Sequence, residues 1–357
     1  MIRQAPRVLF LSPRREDYLA DGIFHGLRSL LGDRAVDYPK HEIMYSSPAA
    51  ESVKARIRGG GFTLYGLLED IPIDRSRTLD EARNGDFDLV LFGSVKESFG
   101  FFVEMYRDLP GTQLAALDGD DHPSIWPYRR AWWVRPRWWF MPRAHNRVPY
   151  FKRELTPTTY QYRAFNLLPG ALAQRLPMLR GLIPTSFSIP EEKIYDGPAQ
   201  KTQRFARDTV DPEFAEIAPI GERDDYRFHS EDDYYEDLRR SRFGITTKRG
   251  GWDCLRHYEI AANGCVPCFR DLHLKPERCA PHGLDETNCL SYRSRDDLLE
   301  QIDSISDGDY DLLRAGALRW ARESSTTRRA AEMLEWLGWS VATEGQQRAP
   351  LQEALAH

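Results

Sequence analysis

The sequence contains no long run of apolar residues. The first apolar stretch is Val8 to Leu11, which follows the start Met-Ile-Arg-Gln-Ala-Pro-Arg. A signal-peptide core needs roughly seven or more apolar residues, and a membrane-spanning helix needs about 20. This stretch is too short for either, and we therefore expect a cytoplasmic protein.

The sequence also lacks an excess of basic residues. It has 49 Lys and Arg residues against 54 Asp and Glu residues, a formal net charge of −5 at pH 7. Nucleic-acid binding requires a basic field or at least a basic face, because contacts to phosphate dominate the affinity. We expect no nucleic-acid partner, and any anionic ligand must be bound by local positive charge.

Cysteine is scarce, with five residues that all lie between Cys254 and Cys289. An odd number in a chain expected to be cytoplasmic favours reduced thiols over a disulfide framework. Cys265 and Cys268 form a C-x-x-C pair, but no second pair stands at the spacing of a tetrahedral zinc site. The sequence therefore predicts no metal centre.

The composition is that of a globular protein, with 41% hydrophobic and 29% charged residues. The 357 residues are too many for one ordinary core and fit two domains. We predict two Rossmann-like α/β domains facing across a cleft, with C-terminal helices bracing both. The predicted parts are an N-terminal domain over 1–125, a Trp/Arg-rich and Pro-rich connecting region over 126–190, a C-terminal domain over 191–325, and a C-terminal helix and tail over 326–357.

Both predicted domains rest on alternating strand and helix patterns. In the N-terminal part, apolar runs at 8–11, 86–93 and 113–117 alternate with helical periodicity at 19–31 and 99–105. The C-terminal part has helices predicted at 232–240 and 254–263 and strands at 243–246 and 265–269. Such alternation implies parallel sheets, and ligands bind beyond the carboxyl ends of their strands.

Residues 126–147 stand apart because Trp132-Trp133 and Trp138-Trp139 are interleaved with arginines and no acid is present. Such a segment could lie at a membrane interface, bind an extended polyanion by stacking and charge, or pack over the cleft. The Pro-punctuated residues 183–190 favour an extended connection, so we place the domain junction there.

The most informative segment is Arg-Gly-Gly-Trp-Asp-Cys-Leu-Arg-His-Tyr-Glu, residues 249–259. Its glycines form a turn after a predicted strand, and the next helix points its free N–H groups and positive dipole end at that turn. Arg256 and Glu259 share one helix face, either as an ordinary surface ion pair or as a site that holds a diphosphate and accepts ribose hydroxyls. The candidate donor-binding residues are Arg249, Gly250, Gly251, Arg256 and Glu259.

The segment resembles the donor-binding region of GT-B glycosyltransferases, particularly exostosin-like and CgeB-like members of the glycosyl transferase group 1 type. Their pattern is Arg-x-x-Glu, small apolar residues, then Gly-Cys-x-Pro, and Arg256, Glu259, Gly264, Cys265 and Pro267 match it. The resemblance implies a nucleotide-sugar donor in the C-terminal domain and an acceptor in the N-terminal domain.

The resemblance also implies residue roles. Glu259 takes the place of the ribose-binding carboxylate, and Arg256 or Arg249 would stabilise the leaving nucleoside diphosphate, where charge develops in the transition state. Many GT-B enzymes carry an earlier glutamate eight positions before the ribose-binding one, and this sequence has Gly251 there. The contact to the donor sugar is therefore unassigned.

A second cluster, Asp118-Gly-Asp120-Asp121-His122, follows a predicted strand of the N-terminal domain. It could hold a divalent metal as in a GT-A transferase, supply the base for the acceptor hydroxyl, or satisfy its own backbone as a turn. A GT-B enzyme binds diphosphate with cations and helix dipoles. We therefore favour Asp121 or His122 as the base.

The sequence thus predicts a glycosyltransferase that moves a sugar from a nucleoside-diphosphate sugar to a hydroxyl of a glycan, lipid-linked or small-molecule acceptor. The donor is a co-substrate, no further cofactor is expected, and the Trp/Arg segment allows peripheral membrane contact. One rival is a metal-dependent transferase using Asp118, Asp120 and Asp121. The other is a non-enzymatic GT-B-like scaffold that binds a polyanion or partner through the Trp/Arg segment.

Overall fold

The computed structural model of the chain describes residues 5–54, 57, 61–108, 112–123, 125, 148–160, 182–214 and 228–341. The Trp/Arg segment at 126–147 and the tail beyond residue 341 lie outside these residues. The predictions made for them stay predictions.

The N-terminal half is built on six parallel strands in the order β2-β1-β3-β4-β5-β6. Apolar side chains alternate between two cores, one on each face of the sheet. Buried parallel strands read as continuous apolar runs because helices cover both faces. The strands are β1 (Val8–Leu11), β2 (Ala35–Tyr38), β3 (Leu89–Phe92), β4 (Gln113–Asp118), β5 (Tyr150–Lys152) and β6 (Leu182–Pro184). The helices are α1 (Tyr18–Leu31), α2 (Pro48–Lys54), α3 (Thr78–Asn84) and α4 (Phe99–Asp108).

The C-terminal half contains a second parallel sheet, with four strands in the order β10-β9-β8-β7. Gly264 follows the helix Leu255–Ala262 with φ +63°, a conformation that favours glycine, and so ends this helix as predicted. The strands are β7 (Gln203–Phe205), β8 (Ser241–Thr247), β9 (Val266–Arg270) and β10 (Leu290–Tyr292). The helices are α5 (Glu231–Arg240), α6 (Leu255–Ala262) and α7 (Arg295–Ser304).

The predicted α/β class with two parallel sheets is confirmed, but the N-terminal sheet extends past the predicted boundary at residue 125. Strands β5 and β6 fall inside the predicted connecting region, yet β5 pairs with β4 and β6 pairs with β5. Each has only three residues. A three-residue strand gives too little apolar pattern to separate it from an extended linker.

The C-terminal helices α8 (Asp307–Glu323) and α9 (Thr326–Trp336) connect the two halves. Helix α8 packs on α6, where the rings of Trp320 and Tyr258 stack with centroids 4.7 Å apart. Helix α9 packs on α1 of the N-terminal half. This confirms the predicted bracing. Within the described ranges, none of the helices is long and apolar enough to cross a membrane.

The contact between α1 and α9 predicts a specific weak point at Gly26. A Cβ there would fall on the backbone carbonyl of Thr326 and lie 2.8 Å from the Ala330 Cβ. Gly26→Ala should therefore lower the free energy of unfolding by about 1–3 kcal/mol, as overpacking does. Urea denaturation measures this change.

The matched control is Gly100→Ala in α4, where an added Cβ meets no atom within 4 Å. This variant should be unchanged or slightly more stable, because alanine favours helix. Equal stability of the two variants would contradict the packing described here.

Candidate functional site

The predicted glycine turn lies at the carboxyl end of β8, directly before α6. The Arg249 N–H donates to the Gly251 carbonyl at 3.0 Å. Beneath the turn, the His257 ring lies 3.0 Å from the Trp252 carbonyl through Nε2 and 2.9 Å from the Thr246 hydroxyl through Nδ1. Because a carbonyl only accepts, Nε2 carries the proton and Nδ1 accepts. Burial lowers the pKa of His257 to about 3, so the ring stays neutral while it fixes the turn.

The two glycines of this turn are in close contact with the N-terminal half. A Cβ on Gly250 would lie 2.9 Å from Cγ of Asp121, and a Cβ on Gly251 would lie 2.7 Å from Cδ of Glu154. Both acids follow strands of the N-terminal sheet, Asp121 after β4 and Glu154 after β5. Glycine is therefore required here for the close approach of the two halves.

Glu154 accepts hydrogen bonds from two backbone N–H groups of the turn that precedes α6. Its Oε1 lies 2.8 Å from the Trp252 nitrogen and 3.2 Å from the Asp253 nitrogen. Its Oε2 accepts from the Cys279 thiol at 3.0 Å, and Glu154 is only 2% exposed. The turn thus binds an anionic group, but the group seen is a carboxylate of the N-terminal half.

Arg153 neutralises this buried carboxylate and joins the halves a second time. Its Nη1 donates to Oε1 of Glu154 at 3.1 Å and to the Asp253 carbonyl at 2.7 Å. Its Nη2 is ion-paired with Asp121. Burial acts to lower the pKa of Arg153, but the carboxylates of Asp253, Glu154 and Asp121 outweigh it and raise the pKa. We call Arg153, Glu154 and the turn 250–253 the interdomain clasp.

Arg256 and Glu259 lie on α6 as predicted but are bonded to other residues. Arg256 Nη1 lies 2.7 Å from Oδ2 of Asp208, which follows β7. Glu259 is 8% exposed, and its Oε2 accepts from the Tyr234 hydroxyl at 2.8 Å while its Oε1 accepts from the Thr63 hydroxyl. Burial raises the pKa of Glu259. They therefore do not form the surface ion pair considered as an alternative.

The acidic cluster after β4 is divided among separate partners. Asp118 lies 3.1 Å from the Lys152 ammonium and accepts from the Tyr150 hydroxyl at 2.8 Å. Asp120 accepts from the His122 N–H at 3.1 Å, and His122 is exposed. Among these acidic side chains, that of Asp121 contacts the clasp through its ion pair with Arg153. Within the described residues, no group of three His, Cys, Asp or Glu side chains is arranged to hold a metal ion.

Asp17 was not among the predicted site residues. It lies between β1 and α1, at the edge of the N-terminal sheet. It caps α1, because its Oδ1 accepts from the N–H groups of Leu19 and Ala20 at 3.1 and 3.2 Å. A Cβ on Gly119 would lie 3.0 Å from Cγ of Asp17. Burial, and then the charge of Asp21, raise the pKa of Asp17 to about 7.

Sequence reasoning also missed Arg153, Glu154, Asp253 and Thr63. A signal existed for the first two, because adjacent opposite charges directly follow the short apolar run of β5. Asp253 stood in the informative segment but had no distinguishing spacing. Thr63 had no signal, because its partners are 168 to 196 positions away in the sequence.

Comparison with solved structures identifies the fold. The chain resembles Anabaena HepE, solved in complex with UDP and glucose, with a TM-score of 0.51 and 10% identity over 93% of this chain and 99% of that chain. A glycosyltransferase from Rickettsia africae gives a TM-score of 0.44 at 8% identity, covering 92% of this chain and 97% of that chain. Sucrose-phosphate synthase from Thermosynechococcus elongatus gives 0.45 at 10% identity, covering 92% and 98%.

No protein-family model matches the sequence, and no curated protein matches it. The structural likeness to HepE confirms the predicted GT-B fold. The narrower resemblance to exostosin-like and CgeB-like members stays a prediction.

The clasp predicts the effect of adding one methyl group at Gly251. Gly251→Ala forces the Glu154 carboxylate away from the Trp252 and Asp253 N–H groups and should lower the free energy of unfolding by about 1–3 kcal/mol. Urea denaturation measures it. The control is Gly308→Ala in α8, where the nearest atom to an added Cβ is the Ser306 hydroxyl at 3.8 Å. A Gly251→Ala protein as stable as the control would contradict the clasp.

The pKa of Asp17 predicts a pH-dependent stability difference. Its pKa is about 7 in the folded chain against an ordinary value of 3.8 for aspartate, so ionisation destabilises the fold progressively as pH rises from about 4 to 7. Asp17→Asn keeps a capping oxygen but cannot ionise. The variant should gain stability over the parent across this range, by up to about 4 kcal/mol at pH 8, since each unit of pKa difference corresponds to about 1.4 kcal/mol. Urea denaturation at pH 5 and pH 8 tests it, and a pH-independent difference would refute it.

Proposed function

We propose that the protein is a glycosyltransferase that moves a sugar from a nucleoside-diphosphate sugar to an acceptor hydroxyl. One observation carries the proposal. In a GT-B fold, the glycine turn, the start of α6 and the Arg256 and Glu259 side chains all lie at the carboxyl edge of the C-terminal sheet, against the corresponding edge of the N-terminal sheet. Ligands of open parallel sheets bind at these edges.

The donor roles follow from the chemistry of the side chains. Lys248 and Arg249 are exposed at the turn and offer positive charge to a diphosphate. Arg256 is held near the same edge by Asp208. A preorganised cation acts where charge develops on the leaving nucleoside diphosphate. We assign the ribose hydroxyls to the Glu259 carboxylate, because the groups it accepts from, Thr63 and Tyr234, are themselves hydroxyls.

The acceptor side is assigned to the N-terminal edge. Asp121 has a 58% exposed side chain and lies against the turn, and His122 is exposed next to it. Either could take the proton of an acceptor hydroxyl at the boundary between the halves. We keep both as candidate bases, with a glycan, lipid-linked or small-molecule acceptor.

UDP is the first probe to use, because HepE, which shares the fold, has been solved with UDP and with UDP-glucose. ADP, GDP, CDP and dTDP complete the series. A nucleotide that binds the folded chain selectively raises its melting temperature, so the screen requires no acceptor. Repeating it with EDTA tests the metal-dependent rival, for which binding should be lost on chelation.

The donor-site assignment predicts that Glu259→Gln weakens binding of the selected nucleotide roughly 10- to 100-fold, the loss expected for a hydrogen bond to a charged group. Isothermal titration measures it. The control is Glu236→Gln, an exposed glutamate on α5 that pairs with Arg240. Arg256→Ala should slow hydrolysis of the matching nucleotide sugar. Unchanged binding in Glu259→Gln together with unchanged hydrolysis in Arg256→Ala would remove the proposal.

If none of the nucleotides binds, the non-enzymatic scaffold becomes the better account. That account predicts polyanion binding that weakens steeply with salt. Selective nucleotide binding contradicts the scaffold account, so the nucleotide screen separates the two proposals.

A further inference from the structure

Thr63 of the N-terminal half reaches across to the C-terminal half and contacts Glu259. Its hydroxyl donates to Oε1 of Glu259 at 2.5 Å, and its backbone N–H donates to Oε1 of Glu231 at 2.6 Å. Because the one hydroxyl hydrogen goes to Glu259, the Tyr235 hydroxyl, 2.7 Å away, donates to the Thr63 oxygen. Thr63 is 1% exposed.

The Glu259 carboxylate accepts from two hydroxyl groups, one on each oxygen, as it would from the two hydroxyls of a diol. One hydroxyl, from Thr63, meets Oε1, and another, from Tyr234, meets Oε2 at 2.8 Å. The two hydroxyls of a ribose would approach the same two oxygens. Since Glu259 is only 8% exposed, a ligand hydroxyl reaches it only if one of the present partners withdraws.

Of the two partners, Thr63 is the one that can withdraw without unfolding the C-terminal half. Tyr234 belongs to α5 and is buried in the same half as Glu259. Thr63 instead precedes Leu64 and Tyr65, which are 0% and 2% exposed, and the Tyr65 hydroxyl donates to Asp21 of α1 in the N-terminal half at 2.7 Å. Separation of Thr63 from Glu259 therefore requires a shift of residues 62 and 63 away from α5, which also parts the rings of Phe62 and Tyr234, stacked with centroids 6.3 Å apart.

The backbone at Thr63 is strained. Its φ is +79°, which is a genuine outlier for a β-branched residue. Strain of this kind persists only where surrounding contacts hold it. The hydrogen bonds to Glu231, Tyr235 and Glu259 hold Thr63, together with the stacking of its neighbour Phe62 on Tyr234. Loss of these contacts would be partly offset by relief of the strain.

We propose that Thr63 is a further residue of the donor site, whose hydroxyl competes with a ribose hydroxyl for the Glu259 carboxylate. A nucleotide then binds only when its ribose hydroxyl displaces the Thr63 hydroxyl from Glu259. The hydrogen bond between Thr63 and Glu259 therefore lowers the affinity for the nucleotide. Displacement also breaks a bond between the halves, so donor binding loosens their contact on this side. The inference rests on the proposed donor role of Glu259.

The test is titration of UDP, and then of ADP, GDP, CDP and dTDP, into four proteins. Thr63→Val keeps the shape of the side chain and removes the competing hydroxyl, so it should bind the nucleotide roughly tenfold more tightly than the parent. Thr63→Ser keeps the hydroxyl and should match the parent. The control Thr326→Val removes another buried threonine hydroxyl that donates to a glutamate, Glu191, away from Glu259.

Thr63→Ala is the second variant in case Thr63→Val does not fold, and it should also bind more tightly. Both should melt at a lower temperature than the parent without nucleotide, because a buried carboxylate oxygen loses its partner. Unchanged or weaker binding in Thr63→Val, with binding lost in Glu259→Gln, overturns the competition and leaves the donor site in place. Absence of nucleotide binding in all proteins overturns both.

Discussion

The buried ion pair of Arg153 and Glu154 is the interaction on which the arrangement of the two halves depends. A buried carboxylate is tolerated only when it is paired and hydrogen-bonded. Glu154 meets this condition with Arg153, the Cys279 thiol and two N–H groups of the turn after β8. The turn must therefore lie against the N-terminal sheet, and only glycine leaves room for it there.

At two places, a carboxylate of one half accepts hydrogen bonds from groups of the other half. Glu154 of the N-terminal half binds N–H groups of the C-terminal half, and Glu259 of the C-terminal half accepts from Thr63 of the N-terminal half. In both places a group of the protein occupies a position that the proposed donor site assigns to part of a nucleotide sugar, an anion at the turn before α6 and a hydroxyl at the Glu259 carboxylate. In that proposal, contact between the halves and binding of the donor use the same hydrogen-bonding groups, which couples them.

The two parallel sheets and most of their helices are predictable from the sequence, because apolar runs such as 8–11 and periodic segments such as 19–31 are long enough to carry a pattern. The same holds for the position of Arg256, Glu259 and the glycine turn at one sheet edge. Strands β5 and β6 are not predictable, because they have three residues each. The contact of Thr63 with Glu259 is not predictable either, because a hydrogen bond between residues almost 200 positions apart leaves no local periodicity.

The absence of an early glutamate at position 251 has a physical explanation in the clasp. A side chain at 251 would begin where the Glu154 carboxylate now lies, since Cδ of Glu154 is 2.7 Å from the position of an added Cβ. A glutamate there would also add a fourth carboxylate to those of Asp253, Glu154 and Asp121, which already lie around the single Arg153, and like charges in a buried site cannot all be ionised at low cost. Gly251 and Glu154 therefore depend on each other. The N-terminal half supplies the buried carboxylate beside the turn, and the absence of a side chain at position 251 leaves the space for it.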